Sequence, residues 1–185
     1  MLKQRSQIKK EQLQSQTFYT LPLRDMVIFP QMTSSILVGR EKSLASIEEA
    51  RKLNLPIFAV TQIDATSNNF DEKSLYQAGT LCNIVESVKT SDGTLKIVIQ
   101  GLLRANVKRV IKSDRFFCCE TEIVIDDTLP SENKNQEMLG LIKSVIDNFT
   151  KYAKYNKKIS QDIVASIPRI RSPFEVVYLI ASNIN

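Results

Sequence analysis

The sequence predicts an α+β fold: a small, bent, mainly antiparallel sheet or pseudo-barrel of about five or six strands, with one helix inserted early and a helical carboxy-terminal part. Three observations support this. Short alternating or continuous apolar runs recur from Thr17 to Ile125. The period turns helical once within that stretch, after Arg40. From Ser131 onward the pattern is helical.

Taken in order, Thr17 to Leu23 places Tyr19, Leu21 and Leu23 on one side, as a half-buried strand does. Pro22 lacks an amide hydrogen, so this strand should lie at an edge or pair on one side only. Met26 to Phe29 is an apolar run stopped by Pro30, and Thr33 to Val38 is strand-like up to Gly39. Leu44, Ile47, Ala50 and Leu53 then recur at helical spacing, with Glu48, Glu49, Arg51 and Lys52 outward, until Asn54 and Pro56 close the helix. Ile57 to Thr61 reads as a buried strand, and Asp64 to Lys73 as a surface loop without periodicity.

Gly79 to Lys89 and Thr94 to Val110 bracket Thr90-Ser91-Asp92-Gly93, a hairpin signal because Asp-Gly tolerates the positive φ of a tight connection. The second arm should bulge or bend at Gly101, with Leu95, Ile97 and Ile99 sharing a face before it and Leu103, Ala105 and Val107 after it. Phe116 to Ile125 is one more strand.

In the helical part, Met138, Leu141, Ile142, Val145, Ile146, Phe149, Tyr152 and Ala153 trace one stripe. Ser160 can cap a short helix through Ile167, and Ser172-Pro173-Phe174-Glu175 is a capping box with proline at the first helical position. The expected organisation is a disordered basic tail over residues 1–16, a β-rich domain over 17–127 and a helical subdomain over 128–185. Val176, Val177, Leu179 and Ile180 make the last helix apolar on more sides than one neighbour can bury. The bundle is therefore expected to be incomplete, with apolar surface at Leu141, Val145, Phe149 and Tyr152.

Composition narrows the chemistry. Apolar residues make up 43% and charged residues 24%, which suits a globular chain rather than a disordered one. No apolar run approaches the roughly 20 residues of a membrane span, so no membrane partner is expected. Cys82, Cys118 and Cys119 lack metal-site spacing and read as reduced core or half-core residues of a cytoplasmic protein. The net charge of +5 is spread unevenly, with basic clusters from Lys96 to Arg115 and at Lys151, Lys154, Lys157 and Lys158; solvated faces are the expectation for both.

With no histidine, Ser-His-Asp and Cys-His mechanisms are excluded. Lys42-Ser43 imitates the end of a Walker motif, but Ile36 and Glu41 stand where its glycines are required. The acidic pairs Glu48-Glu49 and Asp126-Asp127 read as solvated carboxylates. No cofactor or metal is expected to bind this chain.

One ordered set of motifs points further. Leu21-Pro22-Leu23-Arg24-Asp25-Met26-Val27-Ile28-Phe29-Pro30 is followed by Gly39-Arg40-Glu41-Lys42-Ser43. Gly79-Thr80-Leu81-Cys82, Asp92-Gly93-Thr94-Leu95-Lys96 and Gln100-Gly101-Leu102-Leu103-Arg104-Ala105 come next, and Tyr155-Asn156-Lys157-Lys158-Ile159 lies beyond them. Together they resemble the amino-terminal domain of Lon, the ATP-dependent protease.

That resemblance implies a PUA-like β pseudo-barrel with a trailing, truncated helical bundle. It implies a substrate-recognition and oligomer-supporting role in a homo-oligomeric, usually hexameric, cytoplasmic serine protease that degrades misfolded and regulatory proteins. ATP and magnesium would then act in an ATPase module, and a Ser-Lys pair in a peptidase domain, neither present here. The implied partners are unfolded or degron-bearing proteins and further copies of the chain, with nucleic acid bound weakly and nonspecifically at most. Arg40, Glu41 and Lys42 open a helix and are expected to be exposed, which makes them the candidate partner contacts. The alternative is a free-standing PUA-like module that binds nucleic acid or a small ligand.

Overall fold

The computed structural model describes residues 15–125, 132–170 and 172–184. The expected tail is therefore outside the described residues up to position 14. So are the expected domain boundary at 127/128 and the Asp126-Asp127 pair. The chain divides into a β-rich unit (residues 1–28 and 33–124) and a helical unit (residues 29–32 and 125–185).

The β-rich unit contains β1 (Gln16–Leu23), β2 (Thr33–Val38), β3 (Ile57–Thr61), β4 (Ala78–Lys89), β5 (Leu95–Ile111) and β6 (Cys118–Ile123), with helix α1 (Glu41–Lys52) between β2 and β3. The sheet order is β2-β5-β4-β3-β1-β6, and β5 also pairs with β6. That last pairing closes β1, β3, β4, β5 and β6 into a barrel. Closure depends on the length of β5: its residues Leu95–Gln100 pair with β2 on the side where Ala105–Ile111 pair with β6. All pairings are antiparallel except β1 with β3.

Local chemistry explains most of these elements. In β1, Gln16–Tyr19 pair with β6 and Thr20–Leu23 with β3, so Pro22 sits where the strand has one neighbour and needs no second ladder bond. The one-sided burial expected of β1 is not observed: Phe18, Thr20 and Pro22 are buried along with Leu21 and Leu23. The barrel encloses one face and α1 packs on the other. Gly93 has φ +85° in the β4–β5 turn. Beside Gly101 the register slips, because Gly101 pairs with Cys82 and Leu103 with Leu81, which leaves Leu102 as the bulged residue.

The barrel core gathers Phe18, Phe58, Val60, Leu81, Ala105 and Cys119 around a common centre. Each large apolar side chain fully buried there contributes roughly 1.5–3 kcal/mol. Helix α1 buries Ser43, Ser46, Ile47 and Ala50, while Leu53, expected on its apolar face, is exposed. The small serines allow α1 to approach closely, and Ser46 is tied to the backbone just before β6: Phe117 N–H donates to its Oγ at 2.9 Å.

The helical unit holds α2 (Glu132–Tyr155), α3 (Gln161–Ser166) running into a 3-10 turn (Ile167–Arg169), and α4 (Pro173–Ala181). Both expected caps form, with Ser160 Oγ accepting from Asp162 N–H and Ser172 Oγ from Glu175 N–H. Phe149, Ala153, Ile159, Ile167, Val176 and Ile180 make its core.

Candidate functional site

Three features bear on function: the start of α1, the outer face of the β2-β5-β4 sheet, and the apolar surface of the helical unit.

Arg40, Glu41 and Lys42 do not behave alike. Arg40 is half-buried and donates through Nη1 to Gln62 Oε1 at 2.8 Å and through Nη2 to the Pro22 carbonyl. Burial first, and the nearby Arg24 second, lower its pKa from the ordinary arginine value. Lys42 Nζ donates to the Ser113 carbonyl at 3.0 Å. Both cations lie over the buried ring of Phe117, at 5.7 and 6.0 Å from its centroid. The expected exposure therefore holds for Glu41 and fails for Arg40 and Lys42, because polar acceptors at strand ends and an aromatic face draw their side chains inward.

At the Walker-like positions, Ile36 lies within β2, Lys42 is bonded to the Ser113 carbonyl, and Ser43 is buried.

The segment from Asp64 to Lys73, aperiodic in sequence, is held by directed hydrogen bonds. Gln62, itself buried, donates through Nε2 to the carbonyls of Ser67 and Asn69. Arg24 donates to Ser67 O and to Asn68 Oδ1. Glu72 Oε1 accepts from Val110 N–H at 2.8 Å, which holds its pKa below the usual carboxylate range.

Three cations of the mid-chain basic cluster have carboxylate partners. Lys108 pairs with Glu122 at 2.6 Å, Arg109 with Glu120 at 3.0 Å, and Arg115 approaches Glu49 at 3.8 Å. Such exposed pairs add little stability and weaken the positive field beside those three cations. The cysteines are buried, and burial pushes the Cys82 thiol up to about 12 and those of Cys118 and Cys119 up to about 11. They remain neutral thiols near neutral pH. Among the described residues no group of His, Cys, Asp and Glu side chains could hold a metal ion, and no helix is long and apolar enough to cross a membrane.

Apolar surface is exposed in both units. On the sheet, Leu37, Val85 and Val88 are 69%, 62% and 51% exposed. In the helical unit the expected stripe divides along its length. Phe149 and Ala153 are buried and Ile142 and Ile146 pack on the core, whereas Leu141, Val145 and Tyr152 stay exposed. A groove of about 260 Å³ lies between α2 and the end of α4, lined by Val145, Asn148, Phe149, Tyr152, Ile180 and Ile184. Sequence periodicity located this stripe but could not say which half α3 and α4 would cover.

The family described as "ATP-dependent protease La (LON) substrate-binding domain" matches residues 17–185. A Lon protease of Rhizobium meliloti is 34% identical over 93% of this chain and 21% of its own length. One of Azorhizobium caulinodans is 36% identical over 92% of this chain and 19% of its own. The chain thus spans about a fifth of these relatives. Among solved structures, the N-terminal domain of a Mycobacterium avium complex Lon protease superposes with a TM-score of 0.66 at 13% identity, over 92% of this chain and 85% of that one. A Lon N-terminal domain protein of Xanthomonas campestris gives 0.53 at 17% identity, over 92% and 99%.

Proposed function

Because the chain belongs to the family of Lon substrate-binding domains, we propose that it captures unfolded or degron-bearing polypeptide for a cytoplasmic ATP-dependent serine protease, without catalysing any step itself. The family match over residues 17–185 carries this reading. The physical support is exposed apolar area in both units, the property that an unfolded client's hydrophobic segments require. ATP, magnesium and a Ser-Lys pair are proposed to act in other parts of a homo-oligomeric, hexameric parent. There, repetition of a weak contact around the ring raises avidity through effective concentration.

Specific nucleic-acid binding is disfavoured by the paired state of Lys108, Arg109 and Arg115. Titrating the protein into dye-labelled casein, a natively unfolded polypeptide, should give an affinity of roughly tens of micromolar. RNA binding should fade between about 50 and 200 mM salt. Absence of casein binding at millimolar protein, or tight sequence-selective RNA binding at physiological salt, would reject the proposal.

A further inference from the structure

Strand β2 is paired on one side only along its whole length, with β5, among the described residues. Its backbone orientation follows from the β4–β5 turn. Thr90 N–H donates to the Thr94 carbonyl, so Thr90 and Thr94 form a hydrogen-bonded pair. Such pairs alternate along an antiparallel ladder. Lys96 and Val98 therefore direct their amides toward β4, and Leu95, Ile97 and Ile99 direct theirs toward β2. Their β2 partners are Val38, Ile36 and Ser34. The intervening residues, Thr33, Ser35 and Leu37, consequently turn their N–H and C=O groups outward. All three are exposed, and among the described residues no hydrogen bond reaches them from the open side.

Open edges of this kind are normally blunted by lysine, proline, a bulge or a covering element. Strand β2, Thr-Ser-Ser-Ile-Leu-Val, has no charge and no proline, and its register against β5 is unbroken. What complements alternating donors and acceptors along an extended strand is another extended main chain. From this edge we infer that β2 binds an extended segment of a client polypeptide by strand addition. The client's main chain pairs with Thr33, Ser35 and Leu37, and an apolar client side chain packs beside Leu37. This rests on the proposed capture of unfolded protein and specifies where and how it occurs. Main-chain pairing also suits clients of unrelated sequence, because the backbone is common to all of them.

Ser35→Pro tests the edge selectively: proline removes an outward N–H and leaves the ladder to β5 intact. Ser35→Ala is the control. With dye-labelled casein, Ser35→Pro should weaken binding roughly three- to tenfold, the effect of one lost hydrogen bond, and Ser35→Ala should not. In the unaltered protein, hydrogen exchange at Thr33, Ser35 and Leu37 should slow when casein is added, while Ser34, Ile36 and Val38 are already protected. This readout decides the matter if the proline variant does not fold.

Casein binding with no protection at those three amides would overturn the inference while leaving substrate capture standing. Failure of the unaltered protein to bind casein would overturn both. Protection that rises with protein concentration in the absence of casein would overturn it in favour of β2 pairing with a second copy.

Discussion

Arg40 Nη1 donates to Gln62 Oε1 at 2.8 Å, joining the residue before α1 to the buried residue after β3. Gln62 in turn holds the loop carbonyls of Ser67 and Asn69, so one guanidinium anchors a helix start and, through one amide, an aperiodic loop.

Replacing Arg40 with alanine leaves Gln62 Oε1 and the Pro22 carbonyl short of a donor. The expected cost is about 1–3 kcal/mol, read as a lower urea midpoint. Arg40→Lys should recover only part of it, since an ammonium lacks the planar fork that serves two acceptors. An unchanged midpoint for Arg40→Ala would show that the contact is dispensable.

Gly79 tolerates no Cβ. A methyl there would stand 2.6 Å from the Ala59 carbonyl oxygen and 2.6 Å from the Phe58 ring. Both belong to the paired strand β3, so neither can retreat without disturbing the barrel. Gly79→Ala should destabilise by about 1–3 kcal/mol, visible as a reduced thermal midpoint. Wild-type stability in this variant would mean that β3 and β4 slide apart freely.

Ser46→Ala removes the acceptor for Phe117 N–H in a fully buried setting. The stranded amide should cost roughly 1–3 kcal/mol, and Ser46→Cys should rescue it poorly because sulfur is a weak acceptor. Chemical denaturation of both variants would check this.

Asp92 Oδ1 accepts from the hydroxyls of Thr90 and Thr94 and from Thr94 N–H. Those bonds, the Thr90 hydroxyl first, lower its pKa to about 2. Because the folded value lies below that of an unfolded aspartate, about 3.9, the stabilisation is complete above that pH and is lost as pH falls through the folded value. Asp92→Ala should therefore flatten the stability profile between about pH 4 and pH 2 and lower the plateau above it. Parallel profiles for variant and parent would contradict the assignment.

Leu141 and Val177 are 62% and 47% exposed on the helical unit. Leu141→Glu and Val177→Glu should leave the thermal midpoint nearly unchanged and reduce concentration-dependent self-association in sedimentation experiments. Association unaffected by either substitution would place self-contact elsewhere.

Periodicity located the strands and helices because apolar spacing reports local burial directly. Thr33–Val38 and Ile57–Thr61 were bounded correctly from sequence, and the caps at Ser160 and Ser172 follow from side chains that reach only a few residues. The candidate contacts were less legible. Arg40 and Lys42 look like helix-start charges in any one-dimensional reading. Their acceptors at Gln62, Pro22 and Ser113 come from other parts of the chain.

By itself the sequence determined the element types, the hairpin turn at Asp92-Gly93, the absence of histidine chemistry and, through its ordered motifs, the family. Tertiary structure alone decided that β5 pairs with β2 over one half and β6 over the other. It also decided that Gly79 lies against Phe58 and that Thr33, Ser35 and Leu37 turn their amides to an open edge. The division has one physical cause. Propensity, capping and periodicity act over a few residues, whereas register, barrel closure and the choice of buried face are set by partners far away in the chain, which no local pattern encodes.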